Sequence, residues 1–523
     1  MGLYINIGYD GFRAARNGEY VDKSALIEFV NNSLNSERQF MCVSRARRFG
    51  KSMAAKMLNA YYDHSCQSAE LFQDLKITKS LSFQQHLNKY PVLYVDMTNF
   101  ITRYRNSGDV VKHIQADILT ELKEAYPNVK LGLKDDLLSA LYAIVQQAEP
   151  SKFIMIVDEW DALLRESDSS QSVGENYVDF LRLLFKSGNS LSVFAGVYMT
   201  GILPIKKYKT QSALNNFEEY TMISPGEMAA CFGFTDEEVS ALCAHNGVDK
   251  EQIKIWYDGY RIGGQESIYN PLSVIRAIRR RYCESYWSNT GTYETLSNYI
   301  KMNYEGLKDD VIKLLAGEKC IVNTKNFQND INVINSKNDV FTALIHMGYL
   351  SYKRDTNECY IPNKEIYLEY FGDIVLVGIN YNKRTKKHQC EIERITKVSP
   401  ALDESVPSSN KKVSPVQETN VPSSDIVALV VNQCFPGATT TRKNKLTTVI
   451  SELLKTDLST SEMMLLLNEK NRTRLRKDII NLLQERDWIT KTVLDNLTTP
   501  NQKYKLTETA WQHIIQYCSE TQK

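Results

Sequence analysis

The most constraining feature of the sequence is a junction. Phe40–Ser44 is a short, mostly apolar run that reads as a buried strand, and a helical pattern follows over Met53–Tyr62. Between them stands Arg45–Ala46–Arg47–Arg48–Phe49–Gly50–Lys51–Ser52. A strand, a tight loop closing on Gly-Lys-Ser and a helix make the frame of a P-loop. Gly50 lets the backbone approach a phosphate, Lys51 can reach the β and γ phosphates, and Ser52 can hold Mg2+. The helix N-terminus adds partial positive charge. Arg47, Arg48, Phe49 and Met53 complete the candidate cofactor-binding stretch. The two arginines suit phosphate clamps, or equally partners for carboxylates inside the domain. The usual first glycine of the pattern is replaced by Arg45. A basic surface turn is the competing reading.

A second apolar run, Phe153–Val157, ends in Asp158–Glu159–Trp160–Asp161. Asp158 stands where a Walker-B aspartate would share Mg2+ with Ser52. Glu159 stands where many ATPases polarise the attacking water, so the two sites belong together at one γ-phosphate. A helix-capping acidic pair would look similar. Asp161 suits either a cap for the next turn or a partner for Arg47 or Arg48. Another run, Leu191–Met199, leads into Thr200–Gly201, and Thr200 is a third candidate catalytic residue beside Glu159 and Lys51, or a structural hydroxyl. Asn215–Asn216 is a candidate border of the site.

With Val92–Met97 as a further strand, and helical patterns over Val110–Ala125 and Lys134–Gln147, residues 1–230 predict a three-layer α/β domain of the P-loop NTPase type. Residues 231–365 turn helical, with cap chemistry at Thr235 and Glu238 and a stop at Gly348, then a small hairpin from Tyr349–Tyr352 and Cys359–Ile361. Residues 366–395 predict a β-hairpin around Ile374–Ile379. The stretch 396–424 is rich in proline and serine and reads as a linker. Residues 425–523 predict several helices and then two strands, the order of a winged helix-turn-helix. Its candidate recognition helix, Thr473–Glu485, carries Arg474, Arg476 and Lys477, with Arg472 just ahead of it.

Composition supports an ordinary soluble globular protein: hydrophobic residues are 43% and charged residues 24%, which excludes a disordered or fibrous chain. Lys plus Arg is 63 against 62 Asp plus Glu, which excludes a histone-like or strongly acidic protein. The ten cysteines form no C-x-x-C pair, so neither a zinc site nor a disulfide framework is expected. No leader or membrane-spanning run is evident, and a reducing, cytoplasmic setting is expected. The 30 tyrosines have no single-site explanation at this level.

The chain resembles the AAA-ATPase-like proteins of bacteria that are often fused to a PD-(D/E)XK nuclease-like domain. The residues that carry the resemblance are Phe12, Arg16 and Tyr20–Ser24, the loop Arg45–Ser52, and Val157–Asp161. Thr200–Ile202 and Leu214–Asn216 continue it, followed by Trp256–Tyr260, Tyr269–Pro271, Tyr286–Trp287, Gly348–Leu350 and Ile361–Asn363. The resemblance covers about 5–370. It makes the arginine at the first glycine position a family feature, and it implies ATP with Mg2+ as cofactors. Only 13 residues separate Asn363 from Val377, too few for the nuclease core. Asp373 and Glu391 could serve as metal ligands, but residue 393 is glutamate where the partner lysine belongs. Nuclease activity is therefore not expected.

The C-terminal stretch resembles winged-helix domains of bacterial ATPase- and helicase-like regulators, through Gln502–Lys503–Tyr504–Lys505–Leu506–Thr507. From Arg442 to Lys523 there are 14 Lys plus Arg against 10 Asp plus Glu, a modest excess. Duplex DNA is the expected partner of Arg472, Arg474, Arg476 and Lys477, with protein contact or self-association as the alternative. Trp488 and Leu475 are expected in the core. The whole predicts Mg2+-dependent ATP binding and hydrolysis coupled to a conformational change, in a DNA-linked regulatory or defence role. The alternative is a non-hydrolysing, nucleotide-responsive scaffold or interaction module.

Overall fold

The computed structural model describes residues 2–104, 109–132, 136–148, 151–166, 171–205, 207–208, 211–212, 214–287, 304–328, 334–370, 427, 430–431, 434–435, 438–454, 458–467, 469, 471–486, 488–491, 503–507 and 510. The chain divides into two compact units, Met1–Glu404 and Ser405–Lys523.

The first unit is built on a five-stranded sheet. Its strands are β1 (Phe40–Ser44), β2 (Val92–Asp96), β3 (Phe153–Asp158), β4 (Phe194–Gly201) and β5 (Glu218–Tyr220). Their order is β2-β3-β4-β1-β5, and every neighbouring pair is parallel. Side chains alternate between two cores, as the two-residue period of a strand requires. Met41, Val43, Tyr94, Ile156 and Tyr198 enter one core, while Cys42, Val95, Met155, Val157 and Met199 enter the other. Both faces are covered, which is why these strands are apolar at nearly every position.

Two expected strand ends move. Met97 starts the helix Met97–Tyr104, because Asp96 accepts the N–H of Thr98 at 3.0 Å and turns the chain. Residues Ser190–Val193 form a helical turn, and β4 runs on to Gly201. The N-terminal end of α1 (Lys51–Tyr62) lies two residues before its expected start, because Gly50, at φ +91°, is its cap.

The region after β5 carries the expected cap box, with Thr235 and Glu238 exchanging bonds, and Gly348 at φ +87° ends the helix Lys337–Met347. The hairpin Ser351–Lys353 with Glu358–Tyr360 gains a third strand, Cys320–Ile321. Phe232, Tyr260, Trp287, Leu344 and Tyr349 from this region share one core with Met41 and Val43 of the sheet. Phe234, Val239, Tyr257, Tyr269 and Tyr286 form a smaller core of their own. Residues 364–370 are helical, with Asn363 capping the N–H of Ile366 at 3.0 Å. The strand over Ile374–Ile379, Asp373, Glu391 and the 396–424 linker lie outside the described residues.

In the second unit the helix Thr440–Leu453 is followed by the strand Leu458–Ser459 and the helix Thr460–Leu466. Arg472–Leu475, Arg476–Ile480 and Asn481–Glu485 make one continuous helix whose middle is a π turn. Strands Ile489–Lys491 and Lys503–Leu506 close an antiparallel sheet in which Lys503–Leu506 is central. The short first strand was not foreseen from the sequence. Leu475, Ile479, Leu483 and Trp488 are buried in one core.

Candidate active site

The carboxyl ends of β1, β3 and β4 bring the sequence-singled residues together. β1 delivers the loop, in which Arg48 and Gly50 adopt positive φ of 70° and 91°. Such alternation turns successive N–H groups towards one side, a concavity suited to an anion. A Cβ built on Gly50 would meet nothing within 4 Å, so the glycine is required by its backbone angle and not by crowding. Lys51 is buried, at 4% exposure, and donates to the carbonyls of Arg45 (3.1 Å) and Ala46 (3.2 Å). Its ammonium lies 3.4 Å from Glu159.

Asp158 is buried at the tip of β3. It accepts the Thr200 hydroxyl at 2.8 Å and the Tyr94 hydroxyl at 3.3 Å, and it bonds with the Ser52 side chain. Burial raises its carboxyl above the ordinary range, against the opposing pull of the Ser52 and Thr200 bonds. Thr200 is thus committed to Asp158. Glu159 sits at φ +53° just past the strand. Burial pushes its carboxyl up, but Lys51 and Arg165 together hold it below the usual range, with Arg47 adding to the effect. Ser52 and Asp158 line one cavity of about 390 Å³, with Asp96, Lys56 and Asn59. In the register of β2 and β3, Asp96 stands directly beside Asp158.

Ser52 and Asp158 suit Mg2+. They are oxygen donors from adjacent elements, already within hydrogen-bond reach, with cavity space beside them for the water that such an ion retains.

Other residues are placed elsewhere. Arg45 is fully buried, and its guanidinium donates to the carbonyls of Ser44, Tyr220 and Met228 and stacks over Phe232. It is a structural tie under the loop. Phe49 is buried edge-on to Tyr260, so it offers phosphate only its backbone. Met53 is 41% exposed at the start of α1. The Arg48 guanidinium donates to the carbonyl of Tyr286. Asn216 donates to the Phe185 carbonyl at 2.9 Å. Asp161 stands at the cap of the helix Ala162–Glu166, its carbonyl accepting the Arg165 N–H at 3.1 Å, but its side chain takes up neither role foreseen for it. Its carboxylate accepts the N–H groups of Ile202 and Leu203 and pairs with Arg165 at 2.9 Å.

Arg165, on α2 (Ala162–Glu166), is the residue that sequence reasoning missed. It bridges Asp161 and, at 2.6 Å, Glu159. Its only signal was the four-residue spacing from Asp161. Gly201 is now explained as well: a Cβ there would lie 2.6 Å from both Trp160 and Asp161.

In the second unit Arg472, Arg474, Arg476 and Lys477 are all exposed, while Leu475 between them is buried. Arg474 lies 3.5 Å from Asp478, which also pairs with Arg442.

Residues 6–210 match a family model described as Predicted AAA-ATPase. With the parallel sheet, this match supports a nucleotide-binding, ATPase-type α/β domain over that stretch. The chain is 26% identical over 302 residues to an uncharacterized protein in the vnfD 5′ region of Azotobacter chroococcum mcd 1, across 55% of this chain and 54% of that one. The chain thus spans about half the length of the curated relative it matches. Among solved structures it is similar to the Aeropyrum pernix ORC2 protein in its ADPNP–ADP complexes, at 11% identity and a TM-score of 0.29. That likeness covers 70% of this chain and 98% of the other, and at that score it carries no argument. No helix among the described residues is long and apolar enough to cross a membrane.

Proposed function

We propose that the first unit binds ATP with Mg2+ and hydrolyses it, and that the second unit turns the resulting change of shape into DNA binding. The observation that carries the reading is the meeting of Lys51, Ser52, Asp158 and Glu159 at the carboxyl ends of β1 and β3. Lys51 would hold the β and γ phosphates, and Ser52 and Asp158 would hold the metal, which neutralises developing charge on the phosphates. Thr200 positions Asp158. Glu159, kept ionised by Lys51 and Arg165, would accept a hydrogen bond from the attacking water.

The test is ATP turnover by the full chain with and without Mg2+, for wild type and for Glu159→Gln. Mg2+-dependent turnover that falls at least tenfold in the variant supports the reading. ATP binding with no turnover in either protein supports the second reading, a nucleotide-gated scaffold. One observation favours that alternative: both carboxylate oxygens of Glu159 face cations, Lys51 at 3.4 Å and Arg165 at 2.6 Å.

The second unit is proposed as a winged helix, with Lys503–Leu506 and Ile489–Lys491 as the wing and Arg472, Arg476 and Lys477 as phosphate contacts. The domain plan follows: 1–230 ATPase, 231–365 a lid-like helical region, 366–395 a residual hairpin, 396–424 a linker and 425–523 the winged helix. Self-association and a cytoplasmic, regulatory or defence setting belong to the same proposal.

A further inference from the structure

Arg48 is an odd member of a phosphate-binding loop. Its backbone holds φ +70°, which costs a non-glycine residue on the order of 1 kcal/mol and persists only where the surroundings demand it. Its guanidinium is spent on the carbonyl of Tyr286, far along the chain. The N–H of the same tyrosine donates to Glu365 at 2.8 Å. Glu365 is fully buried and also accepts the Ser273 hydroxyl at 2.9 Å. One helical turn later, Glu369 accepts the hydroxyl of Ser285 at 2.8 Å. Residues 285 and 286 are therefore gripped from the loop by one arginine and from helix 364–370 by two carboxylates on one helix face. That helix is the last described element of the first unit, and the chain continues from it towards the second.

We propose that Arg48 is a coupling strut and not a phosphate ligand: through Tyr286 it makes nucleotide binding at the loop and docking of helix 364–370 change together. The proposal rests on the reading of the loop as a nucleotide site. Its physics is reciprocal. If bound nucleotide shifts the loop, the shift reaches helix 364–370 through Tyr286, and anything that pulls on that helix alters nucleotide affinity by the same factor. The strut thereby regulates the site.

The experiment is backbone hydrogen exchange by mass spectrometry on the full chain, with and without Mg·ATP, beside calorimetric titration. Wild type, Arg48→Ala and Arg48→Lys are compared; lysine retains a donor for the Tyr286 carbonyl. The expected result is that Mg·ATP changes exchange at 284–287 and 364–370 in wild type and in Arg48→Lys. In Arg48→Ala that response disappears, while affinity changes by less than about fivefold. An Arg48→Ala protein that loses tenfold or more in affinity yet keeps the exchange response is a phosphate clamp, and the strut is refuted. If wild type binds no nucleotide, the nucleotide reading fails. The coupling then falls with it, whereas nucleotide binding by wild type with unchanged exchange at 284–287 and 364–370 refutes the coupling and leaves the nucleotide reading standing.

Discussion

Thr200 gives its hydroxyl to Asp158 at 2.8 Å, across the ends of two neighbouring parallel strands. The hydroxyl is fully buried, so its partner is fixed. Removing it leaves Asp158 with Ser52 and Tyr94 to orient it, and on the proposed reading of Asp158 as a metal ligand a looser carboxylate binds the metal less well. Thr200→Val should therefore raise the Mg2+ concentration needed for half-maximal turnover by about 10-fold, in keeping with the effect of losing such a supporting bond. Thr200→Ser should restore it. Unchanged Mg2+ dependence in the valine variant would reduce Thr200 to a packing residue.

The Asp161–Arg165 pair predicts a stability effect. Asp161 is fully buried and Arg165 is its only cationic partner among the described salt bridges. Arg165→Ala leaves a buried carboxylate held by the N–H groups of Ile202 and Leu203 alone, which should cost roughly 3 kcal/mol. Urea denaturation measures it. The double variant Arg165→Ala, Asp161→Asn should recover part of the loss, because no unpaired charge remains. A single variant as stable as wild type would show that the backbone donors suffice.

These two cases show what was legible. Strand β1, the loop and α1 could be read because the signal is contiguous: an apolar run, a turn closing on Gly50–Lys51–Ser52 and a helical pattern follow one another directly in the chain. Asp158 and Glu159 were legible because an apolar run ending in two carboxylates has few other uses. Arg165 was not, because its meaning depends on which strand tips lie together. Gly201, Tyr260 and Tyr286 were visible only as parts of a resemblance, with no reason attached, and Gly348 only as a helix stop, with no sign of what it packs against. The structure supplies packing reasons. The Tyr260 hydroxyl donates to the Gly348 carbonyl at 2.7 Å, and Phe49 of the loop lies edge-on to the Tyr260 ring. Several of the abundant tyrosines work in this way, as apolar bodies whose hydroxyls satisfy buried backbone carbonyls.

Gly348 also touches the loop from the other side. A Cβ there would fall 2.6 Å from that of Ala46, and its φ of +87° disfavours any side chain. Gly348→Ala should destabilise the protein by about 2 kcal/mol, from overpacking and backbone strain combined. Adding Ala46→Gly removes the closest clash and leaves the strain and a 3.1 Å approach to the Trp287 ring, so it should recover part of the loss. No recovery in the pair would place the cost in the backbone and the Trp287 contact.

Glu365 predicts a pH dependence. Burial raises its carboxyl to about 7, against the Tyr286 N–H, the Ser273 hydroxyl and Arg48, with Glu369 adding like charge. The ordinary value of 4.5 applies to the unfolded chain, so between these two values the folded protein keeps a proton that the unfolded chain releases. Its contribution to stability is fully present below about pH 4.5 and is lost as pH rises through about 7. The linkage of 1.36 kcal/mol per pH unit bounds the loss at about 3 kcal/mol. Comparing urea midpoints at pH 5 and pH 8, Glu365→Gln should remove most of this decline. An equal decline in both proteins would assign it to other groups.

The second unit offers a charge argument with an unusual sign. Asp478 pairs with Arg442 and Arg474, so it withdraws two cations from any polyanion that the helix meets. Arg472, Arg476 and Lys477 are exposed and have no ion pair among the described salt bridges. Arg472→Ala or Lys477→Ala should therefore weaken duplex binding and lower the slope of log K against log salt by about 1 each. Arg474→Ala should do less. Asp478→Asn should strengthen binding and steepen the slope, since it frees Arg474 and Arg442 for phosphates. Titrations of a fluorescent duplex at several salt concentrations decide the matter. If Asp478→Asn weakens binding or leaves it unmoved while the fold is kept, this helix face does not meet DNA, and protein contact becomes the better account of its arginines.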